Sequence, residues 1–223
     1  SKKVLTSDEL LAVKEVPGTL AVIGGGVIGT EMGQSFAGLG SKVIIIEMMD
    51  RIVPTLDQEV SAELLRHMKK KGIEVMTSTR ITEIVDKGDK LEIRIEGKDP
   101  VIADKALISI GRTPDLEGLG EVKPEIERGK IKVNEYMETS VKGIYAPGDV
   151  NGIKMLAHVA FRMGEVAAEN AVKGNHRKVN LLSAPSVVYT SPEVAQVGMT
   201  EEQALEKYDD IRIGRFNFAV NGR

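Results

Sequence analysis

Short apolar runs bounded by turn residues dominate the first half of the chain. Residues 20–23, 43–46 and 106–110 show little polar alternation, which is typical of strands buried on both faces of a parallel sheet. Helical patterns over about 27–39 and 57–71 end at glycines. The order of strand, helix and strand predicts a βαβ unit.

The hydrophobic period changes after a further strand, which is expected at 73–76. Residues 80–85 and 91–95 alternate apolar and polar positions on either side of a turn at 87–89. Alternation at period two indicates half-exposed strands. We therefore expect an α/β fold: a Rossmann-like parallel sheet with an inserted β-meander.

The second half of the chain predicts smaller elements. They are a short strand at 144–146, a long helix over 155–172, a β segment at 185–190 and a strand-like stretch at 211–220. Thr200 and Gln203 have the spacing of a capping box, which predicts a helix over about 201–208.

Composition narrows the function classes. The chain has 223 residues, 42% hydrophobic and 28% charged, with a formal net charge of −3, so no basic face for nucleic acid is expected. No apolar run approaches a membrane span and no signal peptide is evident, so we expect a cytoplasmic protein without a membrane partner. The chain contains no cysteine, which excludes thiol chemistry within these residues. Its three histidines lack metal-ligand spacing, and no metal is expected.

A glycine-rich turn follows the first buried strand and opens the first helix. Gly24, Gly26 and Gly29 form G-x-G-x-x-G. Gly24 permits a tight turn, Gly26 lets backbone approach a pyrophosphate, and Gly29 lets helix and strand pack closely. The helix amino end suits the pyrophosphate charge, so a bound dinucleotide is expected.

An acidic residue at the end of the second strand selects the dinucleotide. Glu47 is placed to accept hydrogen bonds from the adenosine ribose hydroxyls, and it would repel a 2′-phosphate. NAD is therefore favoured over NADP. Arg51, four residues later, is the one feature that favours the alternative, because it could meet such a phosphate.

Spaced blocks resemble flavoprotein disulfide reductases, and dihydrolipoamide dehydrogenases among them. The blocks lie at 22–31, 110–114, 143–150, 155–158 and 189–193. The resemblance extends over nearly the whole chain. It implies a parent enzyme that passes electrons from a dithiol to FAD and then to NAD.

The resemblance also implies roles for individual residues. Those implied to bind NAD are Gly24, Gly25, Gly26, Val27, Ile28, Gly29, Thr30, Glu31, Glu47, Ile81 and Gly111. Among them, Glu31 and Gly111 face the nicotinamide half and Ile81 the adenine. Those implied to lie against FAD are Asp149, Met155, Leu156, Ala157 and His158.

Three family features are missing from these residues: the glycine-rich strand-turn-helix that holds the FAD pyrophosphate, the redox-active cysteine pair and the carboxyl-terminal His–Glu pair. We therefore expect a central fragment, inactive alone and with weak or no FAD binding. The expected divisions are a leading segment at 1–17, an NAD-binding domain at 18–138, a returning FAD-domain segment at 139–183 and the start of an α+β dimerisation domain at 184–223. Arg223 as the last residue fits tryptic cleavage or a designed truncation.

Partners follow from the same resemblance. The parent is expected to be a homodimer, and it resembles components of 2-oxo acid dehydrogenase complexes. Residues 184–223 are expected to pack on a neighbouring chain or fold back on the body. Alternatives are another reductase of this architecture, of the mercuric reductase or transhydrogenase type, or a non-catalytic NAD-binding module.

Overall fold

The computed structural model describes residues 1–221, which form a mixed α/β structure. The strands are β1 (Val4–Leu5), β2 (Thr19–Ile23), β3 (Lys42–Ile46), β4 (Glu74–Met76), β5 (Ile81–Asp86), β6 (Leu91–Ile95), β7 (Lys98–Ala103), β8 (Lys105–Ile108), β9 (Ile126–Glu127), β10 (Lys130–Ile131), β11 (Ser186–Val188) and β12 (Val194–Gln196). The α-helices are α1 (Ser7–Leu11), α2 (Val27–Gly38), α3 (Gln58–Lys70), α4 (Ala157–Lys173) and α5 (Glu201–Lys207).

A five-stranded sheet in the order β1-β8-β2-β3-β4 organises the first half of the chain. Every neighbouring pair is parallel, which confirms the predicted Rossmann-like sheet. Ile23 of β2 lies between Ile46 of β3 and Ile108 of β8. The carboxyl ends of these three strands therefore meet at one edge, where ligands bind in open α/β sheets.

The two faces of the sheet are covered by different structures. In β3, Val43 and Ile45 join a core with residues of α1, α2 and α3, whereas Ile44 and Ile46 join a core with β6 and β7. This alternation follows from the pleat of a strand. The antiparallel β5-β6-β7 sheet is the predicted meander, and it covers the face opposite the helices.

The leading segment belongs to this sheet, which the sequence pattern did not indicate. Its strand β1 pairs with β8, and Leu10 of α1 is fully buried. The helix begins with a capping box, in which the Thr6 side chain accepts from the Glu9 N–H and the Glu9 side chain accepts from the Thr6 N–H. A two-residue strand gives too short a pattern to identify from its own residues.

A separate small core forms around α4. Met137, Val159, Met163 and Ala167 are its buried members. The strand predicted at 144–146 is wrong, since Tyr145 makes only an isolated bridge with Glu138. The long helix is confirmed, but Met155 precedes its first residue because Leu156 is the amino-terminal cap.

The carboxyl-terminal segment folds back on the body as far as α5. Val188 and Val194, from the β11–β12 hairpin, enter the core on the helix face of the main sheet. The predicted capping box of α5 is confirmed. Beyond it, the strand predicted at 211–220 is wrong: the stretch is irregular apart from a 3-10 turn at Phe218–Val220. Within residues 1–221 no neighbouring strand pairs with it, and Arg223 lies outside the described residues.

Candidate functional site: a glycine loop at the carboxyl edge of the sheet

The glycine loop is closely packed at two positions and open at one. Gly24 has φ +105°, and a side-chain carbon there would lie 2.5 Å from the Ser109 carbonyl oxygen. A side-chain carbon on Gly29 would lie 1.9 Å from the Gly24 carbonyl oxygen, so α2 approaches β2 as closely as the motif predicts. At Gly26, apart from the glycine and its two chain neighbours, no heavy atom of residues 1–221 lies within 4 Å of that position. The open side of the loop is therefore at Gly26.

The amino end of α2 begins at this open position. Gly26 is its cap residue, and no side chain among the described residues caps it. The Thr30 hydroxyl, in the first turn of the helix, lies within hydrogen-bond distance of the carbonyl oxygens of Gly26 and Val27 (2.9 and 3.0 Å) and so leaves the first N–H groups free. The first N–H groups of the helix, which have no acceptor within the helix, point to an anion site.

Glu47 is buried at the end of β3 and is bound to the glycine loop. Its Oε2 accepts from the Gly25 N–H (2.6 Å), and its Oε1 accepts from the Met49 N–H (2.7 Å). Each carboxylate oxygen has a second lone pair for another donor. Glu47 therefore holds the glycine loop in shape, a structural role that its spacing alone did not indicate.

Ile81 follows a segment that is hydrogen-bonded to the backbone of Glu47. The Thr79 N–H donates to the Glu47 carbonyl oxygen (2.9 Å), and the Lys98 ammonium donates to the Thr79 hydroxyl (2.9 Å). Ile81 itself is half-buried at the start of β5 and packs against the meander core. The sequence pattern does not indicate Thr79 and Lys98, because nothing in it links the meander to the end of β3.

The end of β8 completes the loop on its other side. The Ser109 N–H and hydroxyl both reach the Ile23 carbonyl oxygen (2.8 and 3.0 Å), and the hydroxyl also lies 2.9 Å from the Gly24 carbonyl oxygen. Gly111 follows with φ +120°, exposed and with open space around it. The predicted nicotinamide-side residue thus lies two positions beyond Ser109, a serine that fixes the loop and that the sequence pattern does not indicate.

Glu31 is hydrogen-bonded to the carboxyl-terminal segment. Its Oε1 accepts from the Tyr189 N–H (2.8 Å). One turn further along α2, the Gln34 side chain donates to the Ser191 carbonyl oxygen (3.0 Å) and accepts from the Ser191 N–H (2.5 Å). Helix α2 therefore holds the segment that follows β11 through three hydrogen bonds.

The residues predicted to lie against FAD form a second, separate set. Asp149 is exposed in a 3-10 turn at Asp149–Asn151, and Met155, Ala157 and His158 are exposed at the start of α4. Leu156 is half-buried, and no side chain of the described residues caps α4. His158 Nε2 lies 2.9 Å from the Pro185 carbonyl oxygen. Among residues 1–221 no hydrogen bond joins this set directly to the glycine loop.

One segment contacts both sets. Pro185 meets His158, and four residues later Tyr189 meets Glu31.

No helix of the described residues is long and apolar enough to cross a membrane, and they contain no group of three side chains placed to ligate a metal ion.

Comparison with known proteins agrees with this architecture. The fold and the glycine loop define a Rossmann-like α/β protein. The family model for pyridine nucleotide-disulphide oxidoreductases matches residues 1–164, and the model for the dimerisation domain of that family matches residues 184–223. The chain therefore belongs to the pyridine nucleotide-disulphide oxidoreductase family.

Relatives with solved structures or assigned names narrow this further. The chain is 42% identical to dihydrolipoyl dehydrogenase from Thermus scotoductus, covering 99% of this chain and 49% of that protein. It is 40% identical to leghemoglobin reductase from Glycine max, covering 100% and 44%. The copper(II) complex of the HOCl-induced flavoprotein disulfide reductase RclA from Escherichia coli superposes with a TM-score of 0.83 at 27% identity, covering 92% and 47%. These findings confirm the resemblance, and the chain spans about half the length of the proteins it matches.

Proposed function

We propose that this chain is the NAD-binding portion of a dihydrolipoamide dehydrogenase-like oxidoreductase. One observation carries the proposal: the amino end of α2 begins at Gly26 without a side-chain cap, the side of Gly26 where a side chain would stand is open among the described residues, and the buried Glu47 carboxylate adjoins it through Gly25. An uncapped helix start accepts a pyrophosphate, and a strand-end carboxylate accepts ribose hydroxyls. The two features lie side by side, as a dinucleotide requires.

Each residue has a distinct task in this proposal. The backbone of residues 24–29 and the start of α2 hold the pyrophosphate, while Glu47 binds the ribose hydroxyls with its remaining lone pairs. Ile81 supplies apolar contact for the adenine, and Gly111 and Glu31 flank the nicotinamide end. For Glu31 to do so, its bond with the Tyr189 N–H must be shared or released.

The exposed set at Asp149 and the start of α4 offers one side of a flavin site. An exposed carboxylate and an uncapped helix start suit hydroxyl and ring contacts, but these residues provide no second wall. We assign 18–138 to the NAD domain, 139–183 to the returning FAD-domain segment and 184–223 to the dimerisation domain, with 1–17 leading into the first. When bound, NAD supplies a hydride acceptor and FAD an electron carrier between dithiol and NAD.

The dithiol chemistry requires residues other than these. The chain has no cysteine, so the reacting disulfide of the proposed whole protein must lie elsewhere in it. The whole protein is proposed to be a homodimer that takes dihydrolipoamide, including dihydrolipoamide carried by a 2-oxo acid dehydrogenase complex. This assignment draws on the relatives named dihydrolipoyl dehydrogenase.

Binding of NADH to Glu47 variants tests the proposal. We expect Glu47→Ala to weaken NADH binding about a hundredfold, because two charge-assisted hydrogen bonds to the ribose are lost. The preference for NADH over NADPH should fall as well, because the carboxylate that repels a 2′-phosphate is gone. Titration followed by the nicotinamide fluorescence measures both affinities.

Two further variants keep this experiment interpretable. Glu74→Ala removes an exposed carboxylate from the neighbouring strand and should leave both affinities unchanged. Glu47→Gln keeps an acceptor for one of the two backbone N–H groups, so it separates loss of charge from loss of the loop's shape. A wild-type chain that binds no dinucleotide, or a Glu47→Ala chain that binds NADH as the wild type does, would contradict the proposal.

A further inference from the structure

Arg51 lies directly beside the glycine loop. It follows β3, and its two successors contact the loop: the Val53 N–H donates to the Gly25 carbonyl oxygen (2.8 Å), and Ile52 Cγ2 lies 2.9 Å from where a Gly25 side chain would begin. Glu47, at the ribose end, contacts the same glycine. Arg51 therefore directly precedes two residues that pack on the glycine loop at Gly25, the glycine that Glu47 binds and beside which the proposed ribose would lie.

The Arg51 guanidinium nevertheless points to α5. Its Nη1 and Nη2 donate to the two carboxylate oxygens of Glu202 at 2.7 Å each. This two-bond pairing is the strongest common geometry for arginine and a carboxylate. It raises the pKa of Arg51 and lowers the pKa of Glu202. Arg51 Nε is buried and has no hydrogen-bond partner among the described residues. The pair with Glu202 therefore forms although one donor of the guanidinium is left without an acceptor.

The position of Glu202 depends on how α5 docks. The Glu201 N–H donates to Asp57 Oδ1 (2.8 Å) at the start of α3, and the Gln196 side chain accepts from the Asp57 N–H (3.1 Å). The capping box at Thr200 fixes the first turn of the helix. The carboxyl-terminal segment, more than a hundred residues after Arg51 in the sequence, thus places the Glu202 carboxylate against the Arg51 side chain.

We infer that Glu202 is a specificity-determining positioning residue, which selects NAD over NADP by occupying both terminal nitrogens of Arg51. An arginine near the ribose end is the group that accommodates a 2′-phosphate in dinucleotide sites. Pairing with Glu202 takes this cation away from the phosphate, and the Glu47 carboxylate adds repulsion. The preference for NAD therefore depends on two carboxylates, one of which comes from the carboxyl-terminal segment. This inference rests on the proposed NAD site.

Dinucleotide titrations of the 223-residue chain test the inference. We expect Glu202→Gln to bind NADPH about tenfold more tightly than the wild type, because a freed guanidinium gains a charge-assisted bond to the phosphate. Binding of NADH should change less than about twofold, since NADH carries no phosphate there. The double variant Glu202→Gln with Arg51→Gln should lose the gain, and Glu202→Asp, which keeps the charge, should lie nearer to the wild type.

Controls separate selection from mere docking of α5. Glu59→Gln breaks another ion pair between α3 and the carboxyl-terminal segment, Glu59–Arg215 (2.7 Å), and leaves Arg51 paired, so its NADPH affinity should equal that of the wild type. Thermal unfolding of each variant verifies that it is folded. If Glu202→Gln does not fold, Arg51→Gln alone still tests the inference: it should bind NADPH no more weakly than the wild type, because Arg51 is already engaged.

The possible results distinguish failure of this inference from failure of the proposed NAD-binding function on which it rests. If the wild type binds NADH and Glu47→Ala weakens that binding, but Glu202→Gln lowers only the unfolding temperature and leaves NADPH affinity unchanged, the ion pair is purely structural and the inference is wrong. A loss of NADPH affinity in Arg51→Gln would also overturn it. If the wild type binds neither dinucleotide, the proposed function itself fails.

Discussion

The glycine loop and the start of α4 present their site residues in opposite ways. Around the loop, Glu47 is buried and bound to two backbone N–H groups, and Ser109 closes the loop from the next strand. At the start of α4, Asp149 and His158 are exposed, and the core behind them has four buried apolar members. The residues around the glycine loop are held in place by the main sheet, whereas those at the start of α4 lie on an exposed surface above a small core.

This difference indicates how much of each site the chain contains. Fixed groups bind a ligand without a cost for ordering them, so the loop should act as a binding site within these 223 residues. An exposed set with one wall needs further protein to enclose a flavin. We therefore expect the two sets to respond differently to perturbation.

The largest expected effect is a complete absence of dithiol chemistry. The 223-residue chain should neither oxidise dihydrolipoamide nor reduce a disulfide with NADH, because it has no cysteine to carry the exchange. A turnover assay measures this, and NADH titration of the same preparation serves as the control. Turnover by a chain whose mass corresponds to residues 1–223 would contradict this comparison, since the exposed residues at Asp149 and the start of α4 would then form a working site.

The next effect concerns the loop alone. Gly29→Ala should lower the free energy of unfolding by about 2–4 kcal/mol, because its methyl group would collide with the Gly24 carbonyl oxygen. Gly26→Ala is the matched control: its methyl group meets open space, so the loss should stay below about 1 kcal/mol, as expected for alanine in place of glycine at a helix cap. Denaturant unfolding measures both.

Affinity sharpens the contrast between these two glycines. Gly26→Ala should weaken NADH binding although the protein remains stable, because the methyl group occupies the side from which a pyrophosphate approaches. Equal stabilities for the two variants would show that α2 and β2 are less closely packed than the structure indicates. Unchanged NADH affinity in Gly26→Ala would place the pyrophosphate elsewhere.

The smallest effect is a pH dependence of the unfolding temperature that arises from the region around α4. Glu169 of α4 accepts from Arg177 and Lys173, which lowers its pKa from 4.5 to about 2. Because the folded pKa lies below the unfolded value, the stabilisation is fully present above pH 4.5 and is lost as the pH falls toward 2. The unfolding temperature of Glu169→Gln should therefore differ from that of the wild type at neutral pH and converge with it in this acid range.

A second carboxylate on the same helix controls for net charge. Glu165→Gln removes a carboxylate that pairs only with Arg162 (2.8 Å) among the described residues. A difference between Glu169→Gln and the wild type that persists down to pH 2 would show that the Glu169 contacts are not electrostatic. The same result would weaken the view that surface ion pairs support the region around α4.

Local chemistry made much of the fold and half of the site predictable. The buried strands, the helix over α2 and the capping box at Thr200 depend on residues adjacent in sequence, and all were predicted from the pattern. The tasks of Gly24 and Gly29 follow from the motif and match the observed close approaches. Each of these features needs only a short window of sequence.

Features that depend on distant partners were missed or wrong. Ser109, Lys98 and the Arg51–Glu202 pair act across many intervening residues, and a single sequence contains no signal that joins them. The apolar alternation at 211–220 predicted a strand, yet Phe216 and Phe218 are exposed and no strand of the described residues pairs with that stretch. A strand pattern states what could pair and leaves the partner unspecified.

The order of the main sheet has a consequence for synthesis on the ribosome. Strand β8 lies between β1 and β2, although β1 to β4 all leave the ribosome before it. Until residue 108 emerges, the growing chain holds two unpaired strand edges facing a gap, and such edges are sites of mispairing between chains. The sheet can therefore be completed only late in synthesis, when β8, the last of its strands to be translated, pairs with both β1 and β2.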